Sequence, residues 1–256
     1  MSRIVIKVGS HVLSENNSLA LDRIANLSTL LTELIEKGEE IILVSSGAVA
    51  AGYTKLQLDR SILANKQAVA AVGQPYLMSV YQKKMHTRGL EAAQVLVNAH
   101  DFDSRRRTQH AKNAVDVLLK NRVLPVINEN DATTTDELVF GDNDQLSAHV
   151  AFHFEADMLV ILSDIDSYYD SDPNENCNAK KIKYVNEIDP DDLDMCQTPN
   201  NDFATGGIVT KLKAADFLLS HNKQMFLASG FDLTDVRSFL LDNNHVGGTL
   251  FSKDIL

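Results

Sequence analysis

The sequence predicts an α/β protein whose mainly parallel β-sheet is covered by helices on both faces. Short apolar runs rich in β-branched residues recur along the chain, and amphipathic helical patterns lie between them. The runs are continuously apolar rather than alternating, which is typical of strands buried on both faces of a sheet. Strands that alternate with helices in this way favour parallel pairing.

Six runs predict strands, and two longer patterns predict helices. The strand runs are residues 3–8, 40–46, 92–97, 122–128, 157–163 and 223–229. Residues 21–37 place apolar side chains on one helical face, and Gly38 follows as a stop signal. Residues 208–221 repeat this pattern. Parallel sheets bind ligands beyond the carboxyl ends of their strands, so we expect the chemistry in the loops that follow the strands.

The composition argues against several classes of protein. With 44% hydrophobic residues, the 256-residue chain can bury a sizeable core, as one domain or as two lobes with a boundary near residues 150–157. Its net charge of −11 and pI of about 5.1 argue against a nucleic-acid binder, which usually has a basic surface. The basic run at residues 105–107 is typical of a solvated helix face.

The sequence also argues against a secreted or membrane protein. No apolar run approaches the ~20 residues of a membrane-spanning helix. The N-terminus enters a strand-like run and lacks the layout of a signal peptide. Cys177 and Cys196 are far apart and form no CxxC pair, which fits a reducing compartment. We therefore expect a cytoplasmic location.

Two of the strand-end loops suit phosphate. Lys7 is the only charge inside its apolar strand, and Gly9 follows, so the ammonium can meet an anion together with backbone N–H groups. An edge-strand lysine that prevents aggregation is the alternative. At residues 45–48, "SSGA" opens a helix and offers free N–H groups, or else a tight packing turn. The similarity of residues 47–54 to a P-loop fails because Tyr53 stands where the lysine must be.

A third loop, "NENDATTTDELVFGDND" at residues 128–144, is unusually acidic. It contains four Asp, two Glu and three Asn. Helix capping accounts for one of these side chains near residues 142–144, and one cap cannot account for all of the carboxylates. The spacing of a calcium-binding loop cannot be laid on this segment. Its negative charge therefore needs another explanation.

The fourth loop combines a glycine pair with a lysine one turn later. Gly206 and Gly207, with Thr205 and Thr210, resemble the phosphate-binding start of a helix, and Lys211 follows.

One pair of histidines has the spacing of metal ligands. His149 and His153 are four residues apart on a helix, as in some zinc sites, but no glutamate follows the first histidine. A structural role is therefore favoured for this pair.

Taken together, these loops resemble the amino acid kinase family, and within it the glutamate 5-kinase branch. The motifs are "IKVGS", "SSGAVAAG", "KQAVAAVGQ", "VLPVINENDA", "GDNDQLSA", "LSD" and "TGGIVTKLKAA", in the family's order and across essentially the whole chain. The resemblance implies a three-layer αβα sandwich and a single amino acid kinase domain over residues 1–256. It places an amino-acid-substrate lobe at about residues 1–155 and an ATP-binding lobe at about residues 156–256.

The resemblance also implies roles for individual residues. Lys7 and Lys211 would flank the transferring phosphoryl group, and Asp144 would hold the lysines. The implied glutamate contacts are Ser46, Asp131, Asn143 and Asn128, with Asp131 on the α-ammonium and the two amides donating to carboxylates. The implied ATP contacts are Lys7, Gly9, Ser163, Asp164, Thr205, Gly206, Gly207, Ile208, Val209, Thr210 and Lys211.

The implied activity is the ATP-dependent phosphorylation of the γ-carboxylate of L-glutamate to γ-glutamyl phosphate, the first step of proline biosynthesis. No protein metal site is expected, since Mg²⁺ would arrive on the phosphates of ATP. The implied partners are proline as a feedback inhibitor, a downstream γ-glutamyl phosphate reductase, and further copies of the chain in a dimer or tetramer. Neither a nucleic acid nor a membrane is an expected partner.

Two features depart from the family pattern. Family members commonly have Gly-Leu-Tyr after the Ser/Thr-Asp pair, whereas this chain has Ser167, Tyr168 and Tyr169, which affects the adenine pocket. Many bacterial members carry a C-terminal PUA domain, and we expect none beyond "GGTLFSKDIL". The alternatives are another acyl-phosphate-forming member, such as acetylglutamate kinase or aspartokinase, and a non-catalytic amino-acid sensor.

Overall fold

A computed structural model of the chain describes residues 1–133, 143–173, 175–194 and 207–254. The strands in these ranges are β1 Arg3–Val8, β2 Ser14–Glu15, β3 Ser18–Leu19, β4 Glu40–Ser45, β5 Glu91–Val97, β6 Val123–Glu129, β7 Met158–Ser163, β8 Tyr168–Tyr169, β9 Lys181–Ile182, β10 Tyr184–Val185, β11 Gln224–Ser229 and β12 Thr249–Phe251. The helices are α1 Ser10–Leu13, α2 Leu21–Glu36, α3 Ala48–Tyr53, α4 Leu63–His86, α5 Ala99–Phe102, α6 Arg105–Lys120, α7 Asn143–His153, α8 Pro190–Asp194, α9 Ile208–Ser220 and α10 Thr234–Asp242.

A central sheet organises the described part of the chain. Its strand order is β10-β12-β11-β7-β1-β4-β6-β5, and its pairs are parallel except β11 with β12. All six predicted strands are present in this sheet, and the predicted helices correspond to α2 and α9. The prediction of an α/β fold with a mainly parallel sheet is therefore confirmed.

The two faces of the sheet carry separate hydrophobic cores. In β1, Ile4 and Ile6 pack toward α2, α4 and α10, while Val5 packs toward α6, α7 and α9. Alternate residues of a strand point to opposite faces, so an apolar strand supplies both cores. Each fully buried aliphatic side chain contributes roughly 1.5–3 kcal/mol to folding. Helices on both faces make the three-layer αβα arrangement that the family resemblance implied.

The long helix α4 was not predicted. It spans Leu63–His86 and contains Pro75. Apolar and small residues occur on all its sides, including the exposed Val72, so no single amphipathic face marks it in the sequence.

Within the described ranges, no helix combines the length and the apolar character needed to cross a membrane.

Helices α3 and α4 approach so closely that glycine is required at their crossing. A Cβ atom at Gly73 would lie 1.8 Å from the carbonyl oxygen of Ala48, and one at Gly52 would lie 1.8 Å from that of Val69. Both obstacles are backbone atoms, which cannot move aside as a side chain can. This crossing holds α4 against α3, the helix that begins two residues after Ser46.

We predict that Gly73→Ala destabilises the protein by at least about 2 kcal/mol, because overpacking outweighs the gain in helix propensity. Ala71→Gly, on an exposed position of the same helix, should cost about 1 kcal/mol by propensity alone. Urea unfolding of both variants measures the two effects. A stabilised Gly73→Ala variant would contradict the close crossing.

Candidate active site

The carboxyl ends of β1, β4, β6 and β7 bring the sequence-predicted loops to one edge of the sheet. Strand β1 lies between β4 and β7, with Lys7 paired in register to Val44 on one side and Ile161 on the other. The loops after these strands therefore converge around the end of β1. This is the edge at which open parallel sheets bind ligands.

A buried carboxylate holds two lysines at this edge. The Nζ atom of Lys7 lies 2.6 Å from Oδ1 of Asp144, and that of Lys211 lies 3.2 Å from Oδ2. The side chains of Lys7 and Lys211 are 2% exposed, and that of Asp144 is fully buried. Thr210 donates to Oδ2 of Asp144 at 2.8 Å. One carboxylate thus meets two ammonium groups among the residues that the structure describes here, an arrangement that brings two cationic side chains to one place and suits a phosphate.

The backbone around the cluster also suits an anion. Helix α9 begins after Gly207, whose backbone is extended, and its first N–H groups, those of Ile208, Val209 and Thr210, have no acceptor within the helix. Lys211 leaves the same first turn, with its Nζ atom 3.5 Å from the carbonyl oxygen of Gly207. A helix N-terminus and two ammonium groups therefore lie together.

Gly9 keeps the space beside Lys7 open. Its N–H donates to the carbonyl oxygen of Leu162 at 3.0 Å, which ties the loop after β1 to β7. A Cβ atom at this position would lie 3.8 Å from Nζ of Lys7. A side chain at position 9 would therefore lie in contact with the Lys7 ammonium group.

Neutral polar groups form the neighbouring part of the site. The side-chain amide nitrogen of Asn143 donates to Oγ of Ser46 at 2.8 Å and to Oδ1 of Asn128 at 3.0 Å. Asn128 is 2% exposed and Ser46 is 6% exposed. The expected role of Asn143 as a donor to substrate carboxylates stays a prediction. In this structure, both of its amide hydrogens are used within the protein, on Ser46 and on Asn128.

Asp131 follows β6 and is partly buried. Burial raises the pKa of its carboxyl, and the Lys66 ammonium lowers it by less. A buried carboxylate is poorly stabilised by water, so pairing with an incoming cation lowers its free energy more than it would for a solvated carboxylate. Asp131 can therefore pair with an ammonium group of a ligand.

Ser163 ends β7 and Asp164 follows it, at the same edge of the sheet. Ser163 donates to Asp164 at 2.8 Å, and Nδ1 of His11 lies 2.9 Å from the second oxygen of this carboxylate. Burial acts to raise the pKa of Asp164, but these two hydrogen bonds outweigh it and hold the pKa below its usual value. The loops after β1 and β7 are thus linked through His11.

The histidine pair on α7 packs as aromatic rings. His149 and His153 stack with centroids 5.9 Å apart, and Phe102 stacks on His153 at 5.3 Å. Burial and the neighbouring histidines lower the pKa of both rings. Among residues 1–133, 143–173, 175–194 and 207–254, no group of three or more His, Cys, Asp or Glu side chains is arranged to hold a metal ion.

The structure brings most of the sequence-predicted residues to one edge of the sheet. Direct hydrogen bonds and ion pairs join two sets, Lys7–Asp144–Lys211 with Thr210, and Ser46–Asn143–Asn128. Thr205 and Gly206 lie outside the described residues, as do Asp136 and Glu137 of the acidic loop, to which the sequence assigned no role.

Sequence reasoning missed two residues of the site. His11 pairs with Asp164, and Gln74 accepts a hydrogen bond from Nδ2 of Asn128 at 3.0 Å. The available signal for Gln74 was a lone polar side chain in the small-residue run "AVAAVGQ".

Comparisons with known proteins agree with this arrangement. The model of the amino acid kinase family matches residues 2–229. A glutamate 5-kinase of Wolinella succinogenes is 56% identical over 98% of this chain and 98% of its own length. A glutamate 5-kinase of Leishmania donovani is 54% identical over 98% of this chain and 95% of its own length.

Solved structures show the same fold at low identity. A carbamate kinase from Giardia lamblia bound to AMP-PNP superposes with a TM-score of 0.67 at 14% identity, over 99% of both chains. At this identity the likeness concerns the fold alone. The family match and the two close relatives show that this chain belongs to the amino acid kinase family.

Proposed function

We propose that this protein transfers the γ-phosphoryl group of ATP to the γ-carboxylate of L-glutamate and forms γ-glutamyl phosphate, as in the first step of proline biosynthesis. The observation that carries the proposal is the buried Asp144 carboxylate shared by Lys7 and Lys211, beside the amide network of Asn128 and Asn143. The names of the close relatives, all glutamate 5-kinases, support this choice of substrate.

The reaction needs charge compensation rather than a general base. A glutamate side chain has an unperturbed pKa of about 4.3, so the nucleophile is already ionised at neutral pH. Its approach to a triphosphate brings two anions together. Phosphoryl transfer depends mainly on positioning and on electrostatic stabilisation. Lys7, Lys211 and the N-terminus of α9 supply positive charge on the side where the phosphoryl group passes.

ATP enters as its Mg²⁺ complex, and the metal ion neutralises charge on the phosphate oxygens. We propose that the nucleotide contacts Gly9, Ser163, Asp164 and the stretch Thr205 to Lys211, in an ATP-binding lobe of about residues 156–256. The amino acid occupies the lobe of about residues 1–155. Asp131 pairs with its α-ammonium group, while Ser46, Asn128 and Asn143 surround it.

A coupled ADP-release assay tests the function against its alternatives. L-glutamate, N-acetylglutamate, L-aspartate and UMP are supplied in parallel with MgATP, and turnover with glutamate alone is expected. Preference for N-acetylglutamate would point to an acetylglutamate kinase. Its substrate has no ammonium group, so such an enzyme needs no carboxylate to pair with one. Binding of glutamate without turnover of any substrate would favour a sensor, although a sensor has no need for the two buried lysines.

The remaining partners are part of the same proposal. The product is a labile acyl phosphate, so a γ-glutamyl phosphate reductase is the fitting next enzyme. A dimer or tetramer remains a prediction from the family resemblance. A cytoplasmic location remains a prediction from the sequence.

We predict that Lys211→Ala and Lys7→Ala each lower kcat by at least about 100-fold, because each removes a charge that stabilises the transferring phosphoryl group. Asp144 keeps its other lysine in each variant, so the fold should survive, as thermal unfolding can check. Lys213→Ala, an exposed position on the same helix, is the matched control and should keep its turnover. Near-normal kcat in Lys211→Ala would remove this lysine from the transfer site.

We predict that Asp131→Asn raises the KM for glutamate about tenfold or more and changes kcat much less, since a charge-assisted contact to the ammonium group is lost. In the wild type, kcat/KM for glutamate should fall as the pH drops through the raised pKa of Asp131, because the protonated carboxyl cannot pair with an ammonium. The variant should lack this titration. Asp216→Asn, an exposed change, serves as control. An unchanged KM would contradict the ammonium site.

We predict that proline inhibits the reaction in competition with glutamate, since it carries an α-carboxylate and a cationic nitrogen on the same carbon, as glutamate does. Initial rates at subsaturating glutamate, with and without proline, measure the effect. A rate that proline leaves unchanged would exclude this form of feedback.

A further inference from the structure

One buried side-chain amide next to the proposed substrate contacts takes no part in the proposed reaction. Gln74 lies on α4 and is 8% exposed. Its Oε1 accepts from Nδ2 of Asn128 at 3.0 Å, and its Nε2 donates to Oε1 of Gln94 at 3.1 Å. A chain of amides therefore runs from the exposed Gln94 on β5, through Gln74 and Asn128, to Asn143 and Ser46.

Gln74 helps to hold the side-chain amide of Asn128 in one orientation. The Oδ1 of Asn128 accepts from Nδ2 of Asn143 at 3.0 Å and from the backbone N–H of Glu129 at 2.9 Å. If this amide rotated by half a turn, its oxygen would face the oxygen of Gln74 and its NH₂ group would face two donors. Three hydrogen bonds would be lost. An acceptor would then face an acceptor, and donors would face a donor.

The orientation of Asn128 fixes the two groups next to the substrate. Asn143 uses one amide hydrogen on Asn128 and the other on Ser46, so its Oδ1 is presented as an acceptor. Ser46 accepts through Oγ, which leaves its O–H hydrogen as a donor. The site thereby offers an acceptor that suits an ammonium and a donor that suits a carboxylate.

We propose that Gln74 is a positioning residue for the amino-acid substrate, an assignment that rests on the proposed glutamate kinase function. It touches neither substrate nor ATP, and it acts by holding Asn128, which holds Asn143 and Ser46. The close crossing of α3 and α4 at the neighbouring Gly73 keeps Gln74 in reach of β6.

The test replaces Gln74 by methionine, which has a similar length but cannot make either hydrogen bond. We expect the KM for glutamate to rise about tenfold, as for the loss of a hydrogen bond that orders a binding site. The KM for ATP and kcat should change less than about threefold, since α9 and the lysines are untouched. Gln82→Met is the matched control, because Gln82 lies on the same helix and its Nε2 donates to the carbonyl oxygen of Ala92.

A double-mutant cycle separates positioning from a general loss of structure. In an Asn128→Ala background, Gln74→Met should add less than about twofold to the KM for glutamate, since its effect passes through Asn128. A full additional effect, or equal rises in the KM for ATP and for glutamate, would overturn the proposal. Wild-type enzyme without glutamate turnover would instead overturn the proposed function.

A second variant keeps the proposal testable if Gln74→Met does not fold. Gln94→Met removes only the outer hydrogen bond, from an exposed position on β5. A selective rise of about twofold in the KM for glutamate is then expected, since Gln74 keeps its contact with Asn128. An unchanged KM for glutamate in that variant would contradict the role of the amide chain.

Discussion

The buried carboxylate of Asp144 is the group on which the site depends. Two ammonium groups at this depth would be costly to desolvate, and a shared counter-ion offsets part of that cost. One carboxylate contacts both lysines, so the two ammonium groups are held near each other where a phosphate can meet them. Thr210 adds a hydrogen bond that holds the carboxylate in place. The arrangement thus combines stability of the buried charges with attraction for a phosphate.

The topology of the sheet explains how residues far apart in sequence reach this carboxylate. Lys7 comes from the central strand β1, Asp144 from the first turn of α7 and Lys211 from the first turn of α9. Helices α7 and α9 pack on the same face of the sheet and contribute to one core. The core that stabilises this face therefore also sets the distances between the charged groups.

The substrate side of the site is built on a different principle. Its contacts are amides and a hydroxyl, so most of its specificity is carried without adding charge. Among the described residues, Asp131 brings a carboxylate whose burial makes a cationic partner favourable. The acidic character of residues 128–144 therefore has at least two origins, a counter-ion for lysines and a partner for an ammonium. The steric requirement at Gly52 and Gly73 links this region to the packing of α3 and α4.

The sequence by itself determined the strands, the fold class and the chemical nature of the loops. Strands such as Arg3–Val8 were recognisable because burial on both faces demands an unbroken apolar run, and the loop residues because their motifs are local. Helix α4 was not predicted, because its apolar residues lie on all of its sides and the elements that it packs against are distant in sequence. Only the tertiary structure decided that Asp144 binds both lysines and that Gln74 orients Asn128. Those contacts join residues 54 to 137 positions apart, and no local pattern encodes a distance across a sheet or between two packed helices.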